Sequence, residues 1–270
     1  MPGLLLDTLA GKRAAKPPVW LMRQAGRYLA EYRALRAEKG GFLDLVYDSP
    51  SAAEVTLQPI ERFGFDGAIL FSDILIVPHA MGQHLEFLAG EGPRLSPRLI
   101  DAALDSLQPD PTRYEPVYET VRLCRARLSD QVTMLGFAGS PWTVATYMVA
   151  GEGSRDQHDA RALAYRDPGA MQAIIDAIAD QTIDYLCGQV EVGAEAIQLF
   201  DSWSGSLAPS EFERWVVAPN ARITAALRAR FPELPVIGFP KGAGEKLPAY
   251  ARETGVQAVG VDETIAPVWG

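Results

Sequence analysis

The chain has 270 residues, is 48% hydrophobic and carries a formal net charge of -9. That length and apolar content suffice for one large core, and the acidic balance disfavours nonspecific binding to nucleic acid or to an anionic membrane surface. No apolar run approaches the roughly 20 residues of a membrane span, and the N-terminal segment from Met1 to Asp7 lacks the basic and long apolar regions of a signal peptide. The two cysteines, Cys124 and Cys187, lie far apart in helix-like stretches, which argues against a disulfide framework. A soluble, cytoplasmic protein is expected.

Six short apolar runs recur along the chain: Val19–Met22, Ala68–Phe71, Val132–Phe137, Ala196–Phe200, Val236–Phe239 and Ala258–Val261. Runs of this kind suit strands of a parallel sheet covered on both faces. The segments between them carry helix punctuation. Ser49-Pro50, Ser140-Pro141 and Asp167-Pro168 read as N-caps before a proline, and Gly64, Gly193 and Gly255 as C-terminal stops. Pro219 is expected to kink or break the helix in which it lies.

Alternating β and α units fit a (β/α)₈ barrel or a doubly wound sheet. The barrel is preferred because Arg23, Asp73, Ser202, Lys241 and Asp262 sit at the C-terminal ends of runs, where a barrel brings its loops to one mouth. Lys241 and Asp262 are close enough in that scheme to pair, and His79 and His84 read as loop residues in solvent.

The segment Pro18-Val19-Trp20-Leu21-Met22-Arg23-Gln24-Ala25-Gly26-Arg27-Tyr28 resembles the N-terminal signature of the uroporphyrinogen decarboxylase family. Leu135-Gly136-Phe137-Ala138-Gly139-Ser140-Pro141-Trp142-Thr143, continuing to Tyr147-Met148-Val149, is similar to its second signature. Phe71-Ser72-Asp73-Ile74-Leu75 and Gln198-Leu199-Phe200-Asp201-Ser202 match two further blocks in order. The resemblance extends from about residue 15 to the C-terminus. Ala30 replaces a usual proline and Ala150 a usual acidic residue.

The resemblance implies an α/β fold, a (β/α)₈ TIM barrel with only about six units present, in one C-terminally incomplete domain over residues 1–270. It implies a carboxy-lyase that converts the four acetate side chains of uroporphyrinogen III to methyls, giving coproporphyrinogen III and CO2 in tetrapyrrole and heme synthesis. No cofactor and no metal are implied, and a homodimer is. Asp73 takes the catalytic role, hydrogen-bonded to pyrrole N–H groups. Arg23, Gln24, Ala25, Gly26, Arg27, Tyr147 and Ser202 join it in binding substrate. Gly26 is read as a position where the backbone passes close to ligand or neighbour, and the free N–H groups of the helix that opens at Ser140-Pro141 as a second anion-attracting feature.

The family continues beyond this sequence with two more strands and a substrate-facing histidine that His79, His84 and His158 do not match. An inactive, poorly packed remnant of the enzyme is therefore the alternative expectation. A zinc-dependent corrinoid methyltransferase of the same superfamily is a more distant one, since neither cysteine has a histidine or second cysteine near it in sequence.

Overall fold

Near-continuous apolar runs bury both faces of a strand, and five of the six form one parallel sheet in the computed structural model, which describes residues 3–88 and 92–266. In chain order the strands are β1 (Gly67–Ile69), β2 (His84–Leu88), β3 (Gly92–Ser96), β4 (Thr133–Gly139), β5 (Ala196–Asp201), β6 (Val236–Pro240) and β7 (Ala258–Val259). The sheet order is β1-β4-β5-β6-β7, every pair parallel, with Ile69 opposite Leu135, Phe137 opposite Gln198 and Gln198 opposite Ile237. β2 and β3 form a separate antiparallel hairpin where the sequence suggested only a loop.

The first run behaves differently. Val19–Met22 joins no ladder; it is fastened beside β1 by Val19 N donating to Asp66 Oδ2 at 2.8 Å and Asp66 N donating to Val19 O at 2.9 Å. Pro17 and Pro18 remove two donors just before it, and Val19 and Leu21 each leave 49% of their surface exposed. Trp20 turns inward against Gly67, and Met22 is half-buried at the cavity wall.

Helices fill the crossovers, chiefly Ser49–Phe63, Glu115–Arg127, Pro141–Ala150, Pro168–Glu191 and Ala218–Arg230. Asp167 caps the 24-residue helix as expected, accepting from Ala170 N at 2.9 Å. The cap of Ser49–Phe63 is Asp48, not Ser49: its carboxylate accepts from Ser51 N at 3.1 Å. Gly64 ends that helix in the left-handed region (φ 66°), where a side chain would be strained. Pro219 does not break the helix. The helical path runs on from Pro209 to Arg230, and the proline is accommodated by a π turn over Glu213–Val217 just before it.

One core joins the sheet to these helices, with Trp142, Trp215, Tyr185 and Met134 among its fully buried members. The long helix is locked to β4 by Gln189, whose amide accepts from Phe137 N and donates to Phe137 O, both at 3.0 Å. A Cβ at Gly136 would collide with that amide and with Ile197, so the glycine is required by the close approach.

Gln198, at the centre of β5, is also fully buried, yet neither amide atom has a partner among the described residues. An orphaned polar group of this kind costs about 1–3 kcal/mol. Gln198→Met, of similar size, is expected to raise the thermal midpoint by several degrees. A lower midpoint in calorimetry would show that the amide has partners.

Candidate active site

The C-terminal ends of β1, β4 and β5 open into a cavity of about 490 Å³. Its wall includes Arg23, Arg27, Asp73, Tyr147 and Ser202, together with Gln24 and Ala25; Gly26 is not part of it. Lys241 and Asp262 do not reach it. Asp262 ties its loop to the one after β6, accepting from Gly242 N at 2.5 Å and Thr264 N at 2.9 Å. It forms no direct ion pair with Lys241, although hydrogen bonds from Thr264 and Gly242, helped by the Lys241 charge, lower its pKa.

Arg23 and Arg27 come from the turn that follows the first run, and both are exposed. Neither guanidinium forms an ion pair among the described residues, whereas nearby Arg62 is engaged by Glu31 at 2.9 Å. Gln24 shapes this turn. Its side chain is fully buried, with Oε1 accepting from Leu21 N (3.2 Å) and Nε2 donating to Gly67 O (3.1 Å). A Cβ on Gly26 would meet nothing nearer than the Tyr28 ring at 3.5 Å, so packing within the protein does not demand a glycine there.

Asp73 follows β1. Its Oδ1 accepts from Leu75 N at 2.8 Å, which is the turn-capping role common for aspartate, while Oδ2 has no partner among the described residues. Part of the side chain stays open to the cavity, yet enough protein surrounds it for desolvation to raise its pKa to about 6. The Leu75 amide and the Arg23 charge oppose that rise.

Tyr147 enters from the helix Pro141–Ala150, packed against Trp203 with ring centroids 6.5 Å apart, and burial raises its pKa. The start of that helix does not serve as an anion site. Pro141, Trp142, Thr143 and Val144 are all buried and outside the cavity wall, and Ser140 N is spent on Phe200 O at 2.8 Å. Ser140 holds the cap position, but its hydroxyl donates to Asn220 Oδ1.

Three features of the site escape a motif-based reading. Arg36 also lines the cavity, donating to Tyr32 Oη at 3.2 Å and lying over the Phe42 ring at 5.5 Å. Tyr32 and Arg36 are four apart on the helix Ala30–Lys39, so a buried tyrosine on that face was the available signal. Phe137 and Phe200 form an apolar wall, edge to face at 5.4 Å. Asp201, beneath Ser202, is fully buried and its pKa is pushed up to about 7 by desolvation, against hydrogen bonds from Thr143 and Asn220.

His79 is not the solvated loop residue expected. It lies in the short helix Ile76–Ala80, half-buried, with Nδ1 2.7 Å from Tyr47 Oη, and burial lowers its pKa to about 4. Cys124 and Cys187 are buried free thiols outside the cavity, and the described residues contain no cluster of three or more His, Cys, Asp or Glu able to hold a metal ion.

Parallel α/β architecture, polar residues at strand ends and a cavity that brings unengaged arginines together with a desolvated carboxylate mark this cavity as the candidate active site of an enzyme. The family model described as uroporphyrinogen decarboxylase (URO-D) matches residues 2–269. The uroporphyrinogen decarboxylase of Novosphingobium aromaticivorans is 76% identical over 269 residues, covering 100% of this chain and 79% of that protein. That of Erythrobacter litoralis is 70% identical with the same coverage, and that of Paracoccus denitrificans 52% identical over 98% of this chain and 78% of that protein.

The chain belongs to the uroporphyrinogen decarboxylase family and is a carboxy-lyase. Among solved structures, a methyltransferase from Methanosarcina mazei shares the fold, with a TM-score of 0.78 over 98% of this chain and 78% of that one. At 18% identity it bears on architecture alone.

Proposed function

We propose that the cavity binds uroporphyrinogen through its carboxylates and removes CO2 from the four acetate side chains, giving coproporphyrinogen. Family membership supports the reaction. The observation that carries the site assignment is the Asp73 carboxylate, with one oxygen unengaged, in the same cavity as Arg23 and Arg27, which lack acidic partners among the described residues.

An acetate on a pyrrole has no adjacent carbonyl to receive the electron pair left by departing CO2. Protonation of a ring carbon supplies that sink, as an iminium-like cation. Asp73 Oδ2, accepting from pyrrole N–H groups, stabilises the cation as it forms. Loss of CO2 returns the electron pair to the ring system and leaves an exocyclic methylene. Protonation of that carbon and loss of the ring proton give the methyl, so each cycle exchanges a carboxylate for one proton.

Arg23 and Arg27 grip substrate carboxylates bidentately, a task for which the planar guanidinium is suited. Tyr147, from the helix Pro141–Ala150, and Ser202, just past the end of β5, supply hydroxyl donors. The chemistry asks for no organic cofactor or metal. On family resemblance the enzyme works in the cytoplasm as a homodimer, which light scattering on the purified protein tests. No helix among the described residues is long and apolar enough to cross a membrane.

The pH profile tests the role of Asp73. Its ionised form is the active one, and its pKa in the free enzyme lies at about 6. kcat/KM is therefore expected to fall as pH drops through 6. A profile flat between pH 5 and pH 7, with the protein still folded, would remove Asp73 from the mechanism.

A further inference from the structure

The end of β5 is joined to two helices by a buried chain of hydrogen bonds that takes no part in lining the cavity. Asp201 ends the strand. Its Oδ1 accepts from Thr143 Oγ1 at 2.6 Å, and its Oδ2 accepts from Asn220 Nδ2 at 3.4 Å. The orientation of Asn220 is fixed from its other side. Ser140 Oγ donates to Asn220 Oδ1 at 2.9 Å, and Asn220 Nδ2 also donates to Val216 O at 2.8 Å, in the π turn before Pro219. All four side chains are fully buried.

Thr143 has a second contact. With its proton given to Asp201, its Oγ1 accepts from Trp203 N at 3.1 Å. Trp203 O in turn accepts from Trp142 Nε1 at 3.3 Å. Ser202 thus lies between two residues that are both bound to the helix Pro141–Ala150. Tyr147 stands one turn beyond Thr143 on that helix and packs on the Trp203 ring.

The chemistry of the arrangement is specific. Two donors converge on Asp201 from different elements, and only a carboxylate accepts with both oxygens at once. No basic side chain accompanies it: the shift of Asp201 has no cationic contribution. Stability alone is served as well by an apolar substitute for a buried charge, so the network supplies geometry.

We propose that Asp201, acting through Thr143, is a positioning residue for the decarboxylation that sets the spacing between Tyr147 and Ser202 across the cavity. This rests on the reading that those two hydroxyls meet the substrate.

The test is a mutant cycle on the full chain, followed by coproporphyrinogen formation under anaerobic conditions and by thermal unfolding. Thr143→Val keeps the shape and removes both hydrogen bonds. It is expected to lower kcat/KM by at least about tenfold, because small displacements of binding groups are costly. Thr143→Ser keeps the hydroxyl and is expected to stay within about threefold of wild type, a rescue that loss of packing alone would not give.

Adding Thr143→Val to the pair Tyr147→Phe and Ser202→Ala is expected to cause no further loss, because the groups it positions are gone. A full additional loss in that triple variant, or failure of serine to rescue, would overturn the proposal. If Tyr147→Phe and Ser202→Ala retain wild-type activity, the substrate-binding reading fails and the proposal fails with it, a result visible in those variants alone. Should Thr143→Val not fold, Asp201→Leu, of similar size and without an acceptor for Thr143 or Asn220, takes its place with the same expectation.

Discussion

Asp73→Asn is expected to lower kcat by about two to three orders of magnitude while leaving the fold intact. The amide keeps an acceptor for the Leu75 N–H, so the turn after β1 survives. It loses the negative charge that stabilises the protonated pyrrole, and its NH2 group has no pyrrole acceptor to meet. The expectation for stability has the opposite sign. The folded-state pKa of Asp73, about 6, lies above its ordinary value of 3.8, so the folded protein holds the proton more tightly than the unfolded chain. That contribution is fully present below pH 3.8 and is lost as pH rises through 6. At pH 7.5 the wild type carries a desolvated charge that the variant lacks. The thermal midpoint of Asp73→Asn is therefore expected to equal or exceed that of wild type at pH 7.5. Activity within tenfold of wild type, or a variant that melts well below it, would place Asp73 in the scaffold instead of the chemistry.

The strands legible in the sequence were chiefly those covered on both faces. β1 and β4 are buried throughout and β5 and β6 nearly so, while β7 read as an apolar run although Ala258 and Val259 are only partly buried. The first run misled for the same reason. Val19 and Leu21 are apolar but exposed, and composition alone does not separate them from inward-facing Trp20. The hairpin β2–β3 was hidden because it alternates polar and apolar residues instead of forming a continuous apolar run: Leu85 and Leu95 are buried while His84 and Glu86 are exposed. Glu86 stands opposite Arg94 in its register, and Pro93 lies opposite Phe87, which reads as loop chemistry until the pairing is seen.

In the site, residues borne by contiguous motifs were legible. Arg36 was not, because only the path of the helix Ala30–Lys39 brings it beside Arg23 and Arg27. Asp201 stood within a recognised block, but its partners Thr143 and Asn220 lie 58 and 19 residues away. The buried start of the helix at Ser140 shows the limit of reading caps locally: the hydroxyl expected to cap it reaches across to Asn220.

Arg23→Lys and Arg27→Lys are each expected to raise KM for uroporphyrinogen by one to two orders of magnitude. Lysine keeps the charge but presents a single point in place of a planar fork, and a lost charge-assisted hydrogen bond is worth roughly 1.5–3 kcal/mol. The chain as a whole, at -9, repels a polycarboxylate at long range, so these local cations must provide the capture. Glutamine substitutions separate the two arginines. Arg23 is the one whose charge lowers the pKa of Asp73. Removing it in Arg23→Gln raises that pKa further and is expected to move the acid limb of kcat/KM to higher pH. Arg27→Gln is expected to weaken binding with the limb unmoved. Anaerobic titration with substrate and paired pH profiles read both effects. Unchanged affinity in both lysine variants would show that the arginines are not the carboxylate clamp. An acid limb that stays in place in Arg23→Gln would mean that its charge does not reach Asp73.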